Sequence, residues 1–321
     1  MGLMNNNITC PICSNTSIEP IYDISCDRFD TSFLYQTIKL VYCIKCGHVF
    51  NYLTETELNN LNKYYNEEYK NCNESSTTQR LDSIRKEQLS SFLHGYESVK
   101  VIDQSLEHIS NPNTVFNCDE QYLCIGVPDA TEYASYNFFE PYWVIMREHI
   151  QHFDLPHLTL LSRIQGFEIE KILRGSMPIM SESMQMPVLT ILLKHTNNKK
   201  YNYGHDLFVL KNTIKDYINT SIVKLEKTIT KIPKDKIIYF WGIGREFLFV
   251  NKFFNDFPHK ILVDNNKYKQ EMLTINGIKI YNEDILEGIE NDSVVIAATA
   301  HRELLRNKLL KINFQGRIFD I

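Results

Sequence analysis

Three sets of residues in this chain carry chemistry by type and spacing. The first is a pair of C-x-x-C sequences, Cys10-Pro11-Ile12-Cys13 and Cys43-Ile44-Lys45-Cys46-Gly47. Each can turn tightly enough for two thiolates to meet one ion, and four thiolates close the tetrahedral shell of Zn2+. The second is a pair of Glu-His dipeptides, Glu107-His108 and Glu148-His149. Imidazole titrates near neutral pH and suits general-base work, and an adjacent carboxylate can fix its surroundings or bind a hydroxyl. The third is Gly242-Ile243-Gly244-Arg245, with Asp264 following twenty residues past Gly244. Glycines there admit a close backbone approach, Arg245 suits a phosphate, and an acid at that distance suits a ribose diol. The third glycine of the dinucleotide pattern is absent, because Phe247 stands in its place.

The cysteine pairs are separated by 29 residues, enough for strands around a metal site. Two matched pairs with a glycine after the second point to structural zinc at Cys10, Cys13, Cys43 and Cys46. Four unrelated buried thiols, or a thioredoxin-like redox role, are the competing readings. A shell of four sulfurs leaves no open position, so the ion would fold a small zinc-ribbon-like module and would not polarise a substrate. Cys26 and His48 are then packing or outer-shell residues.

The elements that must hold these groups alternate between strand and helix. Leu58, Leu61 and Tyr65 share a helical face, and a Ser/Thr cluster after them reads as a loop. Tyr122 to Val127 is a short apolar run that stops on Pro128-Asp129, as a buried strand does. Leu158, Leu161 and Ile164 follow helical spacing up to Gly166, and β-type runs follow from Phe167 to Leu173 and from Pro187 to Lys194. A polar linker places a boundary near Lys200. Leu207 to Ile232 then reads as a long amphipathic helix that bridges domains or pairs with a copy of itself as a homodimer, and Pro233 ends it. An apolar strand, Ile237 to Trp241, leads into the Gly-x-Gly turn and a helix, with further strands at 260–264, 279–281, 293–297 and 317–321. The fold class is therefore α/β in three parts: a zinc module with a Tyr-rich connector (1–74), a central α/β domain (75–200), and a long helix with a Rossmann-like domain (201–321).

With 321 residues and 43% apolar content the chain can bury more than one core, and a net charge of −5 offers no basic footprint for nucleic acid or anionic lipid. The start lacks a charged, apolar leader, and no stretch is long enough to span a membrane. Met1-Gly2 does not make a myristoylation site because Asn6 stands where Ser or Thr is needed. A cytoplasmic protein is the expectation, consistent with eight cysteines of which four are scattered.

The phrases LEHI-x-NP (106–112), VPD (127–129), EHI-x-x-F (148–153) and the closing Gly166-Phe167 resemble, in this order, the second half of class I S-adenosylmethionine-dependent methyltransferases. Among these the chain is most similar to sugar methyltransferases that carry an N-terminal zinc module and a C-terminal Rossmann-like domain. The resemblance implies S-adenosylmethionine (SAM) as donor and a nucleotide-linked sugar as acceptor. By position it makes His149 the catalytic base, Glu148 its acidic neighbour and Tyr69 an active-site phenol. It also links Gly242, Gly244, Arg245 and Asp264 to sugar-nucleotide recognition or to packing, more than to hydride transfer. Two departures stand out. Met146-Arg147 replaces the family's Tyr-His, and only one strand, Val99 to Asp103, precedes LEHI, with no glycine after it. Roughly three strands of the donor half have no residues to build them. Either that half is deleted, which the sequence favours, or Val99 to Asp103 is the donor strand with an unfamiliar turn. The expectation is a methyltransferase-like protein with an impaired SAM site, or a catalytically inactive descendant that binds a sugar nucleotide or a partner.

Overall fold

The computed structural model describes residues 8–73, 78–135, 144–179, 181–196, 199, 201, 203–289, 292–298 and 301–321. It is an α/β protein with three sheets, and the cysteine cluster sits in a small ribbon-like module at its start.

The module is an antiparallel sheet of β1 (Ile18–Ser25), β2 (Thr37–Cys43) and β3 (Val49–Asn51). Ile38 and Leu40 alternate inward on β2, and the two knuckles flank the sheet. Helix α1 (Glu55–Glu67) starts in a capping box: Thr54 Oγ1 accepts from Glu57 N at 3.2 Å, and Glu57 Oε2 accepts from Thr54 N at 2.8 Å. Its inner face buries Leu61 and Tyr64, with Leu58 and Tyr65 half-buried beside them. Short α2 (Tyr69–Asn73) follows, and α3 (Thr78–Phe92) begins the centre.

The central sheet runs β4 (Val99–Asp103), β5 (Tyr122–Pro128), β8 (Ser181–His195) and β7 (Phe167–Ile179). β4 and β5 are parallel, and β8 is antiparallel to both of its neighbours. Strand periodicity decides which helix covers which face. Leu123, Ile125 and Val127 join Leu158 and Leu161 of α4 (Leu155–Ile164), whereas Cys124 joins Phe92 and Leu89 of α3. Asp154 caps α4 by accepting from His157 N at 2.9 Å, and Gly166 at φ 83° leads out of it.

Both β7 and β8 run beyond the segments the sequence marks. Gly175 and Ser176 pair with Val188 and Pro187, Pro178 pairs with Gln185 and, after a register shift, Ile179 pairs with Ser181. Met184 and Met186 are buried in the core shared by the terminal domains, and Met177 packs against it. Between these elements, β6 (Gln151–His152) pairs with β3, setting Val49 opposite His152 and Phe50 opposite Gln151. Two residues from the centre thus complete the module's sheet and fix Glu148-His149 beside it.

Helix α5 (Val209–Ile229) buries Leu210, Ile214, Tyr217, Ile218 and Leu225 inside the chain, leaving Val209 and Val223 exposed. The last sheet has the order β11 (Thr274–Ile275), β12 (Ile278–Tyr281), β10 (Lys260–Val263), β9 (Ile238–Trp241), β13 (Ser293–Ile296) and β14 (Arg317–Asp320). All are parallel except β11, and the order reverses between β9 and β13. In open parallel sheets the ligand crevice lies at such a reversal, outside the carboxyl ends of the strands. Helices α6 (Arg245–Val250), α7 (Lys267–Met272) and α8 (Arg302–Lys311) frame it. The module clamps this domain: Asp27 N donates to Leu248 O at 2.8 Å, and the Asp30 carboxylate accepts from Asn276 N and Gly277 N at 2.8 and 2.9 Å.

Candidate functional site

The four cysteines of the knuckles converge. Their sulfurs all lie within 4.8 Å of one another, with Cys10 to Cys46 and Cys13 to Cys43 each at 3.5 Å. A tetrahedron with metal–sulfur bonds of 2.3 Å has edges of about 3.8 Å, so the cluster could hold a metal ion. His157 ties it to α4, with Nδ1 2.6 Å from Asp154 Oδ1 and Nε2 3.0 Å from Cys46 O. His48 is buried beside it with Nε2 2.8 Å from Gln151 Oε1, and Cys26 lies apart in the other core. Both are packing residues here, as their positions in the sequence suggest.

The second site is a cavity of about 790 Å3 lined from the module, the central segment and the last sheet, a size typical of small-molecule sites. One end is the crevice of the last sheet, lined by Gly242, Gly244, Arg245, Asp264 and Lys269. The other end is lined by Glu107, His108, Glu148 and His149, and Tyr69 stands at the edge, 42% exposed. All the residues expected on sequence grounds to be catalytic or cofactor-binding therefore line one space.

Gly242 has φ 96°, and a Cβ there would lie 2.4 Å from Ala298 Cβ, so only glycine lets β9 turn this close to the end of β13. Asp264 holds that turn. Its Oδ2 accepts from Ile243 N at 2.8 Å and from Lys269 Nζ at 3.0 Å, and its Oδ1 accepts from Asn266 N at 2.9 Å. Both oxygens of the acid expected to meet a ribose are thus engaged within the protein. Arg245 places Nη1 2.9 Å from Met146 Sδ, which joins the two ends of the cavity.

At the other end the 3-10 turn Leu106–His108 follows β4 and carries the first Glu-His pair, while the tight turns before β6 carry the second. The two imidazoles meet edge to face, with ring centroids 4.9 Å apart. His149 Nδ1 is 2.9 Å from Val144 O, and His108 Nδ1 is 2.8 Å from Glu148 O and 3.0 Å from the Tyr65 hydroxyl. Burial holds the His149 pKa well below the usual histidine value, and burial lowers that of His108 as well. Glu107 is enclosed, and burial pushes its pKa up to about 8. Glu148 Oε1 accepts from the Tyr64 hydroxyl at 3.2 Å.

Several residues escaped the sequence reading. Gln104, immediately after β4, lines the cavity with φ 48°, a left-handed conformation uncommon outside glycine. Both polar atoms of its side chain are shielded from water and have no hydrogen-bond partner among the described residues; the same holds for Glu107 Oε2 and Glu148 Oε2. Arg147 is buried, and its Nη1 donates to Tyr35 O at 3.1 Å while the Tyr35 hydroxyl donates back to Arg147 O. A non-glycine residue at a strand end is a weak signal in sequence, and Arg147 carried none beyond its place before Glu148.

Asp103, at the end of β4, would be the donor-site carboxylate if this strand opened a SAM fold. Instead it forms a two-point ion pair with Arg85, at 2.6 Å to Nη2 and 3.0 Å to Nε, and Arg85 also donates to Thr190 Oγ1 at 2.9 Å. The pair packs onto Gly126, where a Cβ would lie 2.0 Å from Asp103 Oδ1. No glycine turn follows β4, so these residues do not fit SAM. No protein-family model matches the chain, and no curated protein sequence matches it either. Among the described residues, no helix is long and apolar enough to cross a membrane.

Proposed function

We propose that the protein binds a nucleotide-linked sugar in the interdomain cavity, with the nucleotide over the crevice of the last sheet and the sugar against the Glu-His wall. The observation that carries this is the set of buried polar atoms without partners, on Gln104, Glu107 and Glu148, that line one space. Each such atom costs about 1–3 kcal/mol when left unmatched. A polyol, whose hydroxyls both donate and accept, meets carboxylate and amide groups alike. At the far end Arg245 can meet a diphosphate, while Lys269 and Lys308 also line the cavity but hold Asp264 and Glu283.

The resemblance to sugar methyltransferases supports the same acceptor. On this reading the central domain keeps the acceptor wall of that family and has lost the donor half, since among the described residues the sheet has four strands and the carboxylate that ends β4 is locked to Arg85. His149 Nε2 keeps a lone pair that can take a proton from the sugar, with Glu148 and Tyr69 orienting the ring. The cysteine cluster holds a structural Zn2+ that folds the module. The scattered thiols, free among the described residues, fit a reducing, cytoplasmic setting.

Calorimetric titration of the full chain with a dTDP- or UDP-linked sugar is expected to show micromolar binding, and titration with S-adenosylhomocysteine to show none. Absence of binding to any nucleotide sugar removes the carbohydrate reading. Micromolar binding of S-adenosylhomocysteine overturns the loss of the donor site.

A further inference from the structure

We infer that Glu107, His108 and His149 form a second metal site, open to the cavity, that takes a divalent first-row transition ion through two imidazole nitrogens and one carboxylate oxygen. The inference goes beyond the nucleotide-sugar reading and stands on ligand geometry alone.

Three features of the wall carry it. Ligand atoms of the three residues lie within 4.8 Å of one another, and Glu107 Oε1 is 3.7 Å from His108 Nε2. That gap is too long for a direct hydrogen bond. It is close to the separation of about 3.0–3.5 Å that two ligands take around a shared ion at 2.0–2.2 Å, so closure requires side-chain shifts of about 1 Å.

The second feature is the orientation of the rings. His108 Nδ1 faces Glu148 O at 2.8 Å, and His149 Nδ1 faces Val144 O at 2.9 Å. A ring that gives its Nδ1 proton to a backbone carbonyl keeps its lone pair on Nε2, which is how metal-bound histidines are held. Two histidines oriented alike beside one carboxylate make a prepared donor set.

The third feature is Glu107 itself. It is 3% exposed, and its Oε2 has no hydrogen-bond partner among the described residues. A buried acid with one unmatched oxygen is expensive, and a cation, which favours its ionised form, is the partner that compensates it most fully.

Two imidazoles and a carboxylate with remaining positions facing a cavity describe an open site, in contrast to a closed shell of four sulfurs. An ion there would act as a Lewis acid on an oxygen of the bound ligand. His149 would then serve as a ligand, and proton transfer would pass to water on the ion.

The test uses the full chain with its cysteine site filled and loosely held metal removed by a mild chelator, titrated with Co2+ and followed by visible absorption. One equivalent is expected to bind with d–d bands and without the intense thiolate charge-transfer band that marks a cysteine site. Glu107→Gln and His108→Gln are each expected to weaken that uptake by about 100-fold or more, because outer-shell partners alone are worth 10–100-fold. The inference is overturned if the wild type takes up no such equivalent, or if both variants, folded by circular dichroism, bind Co2+ as the wild type does. Wild-type stoichiometry decides the matter even where a variant fails to fold. Failure of nucleotide-sugar binding would leave the Co2+ result standing.

Discussion

The sulfur cluster and the Glu-His wall are both groups of potential metal ligands, yet they differ in how their neighbours are satisfied. Around the sulfurs, His157 spends both ring nitrogens on protein acceptors and Asp154 both caps α4 and holds that ring, so that only His48 Nδ1 among the neighbours described above lacks a partner among the described residues. On the wall, Gln104, Glu107 and Glu148 leave polar atoms unmatched inside a cavity. Burial without partners destabilises a fold, so the first arrangement is built for stability and the second is completed by something that enters. On the proposed function, the difference separates residues that hold the molecule together from residues that meet the nucleotide-linked sugar.

The largest effect is expected at the sulfurs. Cys43→Ser removes one of four thiolates, and zinc binding in small domains is worth about 10–16 kcal/mol, comparable to the whole stability of a typical domain. Loss of one equivalent of metal by elemental analysis together with loss of the folded circular dichroism spectrum is the expected result. A folded Cys43→Ser protein with an unchanged metal content would place the cysteines with ordinary buried thiols and dissolve the contrast.

A smaller effect is expected at Asp103, a carboxylate near the wall that belongs with the structural group. Asp103→Asn breaks the two-point pair and leaves the buried Arg85 without its counter-charge, at a cost of about 3–5 kcal/mol. Urea unfolding should show the lower midpoint, while nucleotide-sugar affinity should stay within about twofold because Asp103 spends both oxygens on Arg85 and does not line the cavity. A stable variant that had lost its ligand would return Asp103 to the binding site.

Much of this layout is legible in the residues. Tyr122 to Pro128 is buried almost throughout, as its unbroken apolar run demands, and Leu158, Leu161 and Gly166 do what helical spacing and a C-terminal glycine require. What is not legible depends on partners far away in sequence. The stretch 181–186 is polar and methionine-rich, with no alternation to mark it, and it becomes strand because Met184 and Met186 find a core supplied by the terminal domains. The two-residue β6 exists only because β3 has a free edge. Glu107, His149, Gly242 and Asp264 were each visible as single residues, but their meeting in one cavity follows from Asp27 and Asp30 clamping the module to the last sheet, and no local pattern encodes that.

The smallest change in stability is expected at Glu148, and it tests the contrast most directly. Glu148→Gln keeps the side chain's shape and an oxygen that can accept from the Tyr64 hydroxyl, while removing a carboxylate oxygen that has no partner among the described residues. The unfolding free energy from urea titration should therefore change little, by under about 1 kcal/mol in either direction, since nothing satisfied is lost. Affinity for the nucleotide-linked sugar should fall by about 10-fold, because a hydroxyl bound to a carboxylate contributes roughly 1.5–3 kcal/mol and the amide recovers part of it. A residue that matters for structure would show the reverse, a lower midpoint with unchanged affinity. If Glu148→Gln behaves that way, the unmatched oxygen belongs to the packing of the wall and not to a ligand, and Gln104 and Glu107 would have to be reconsidered with it.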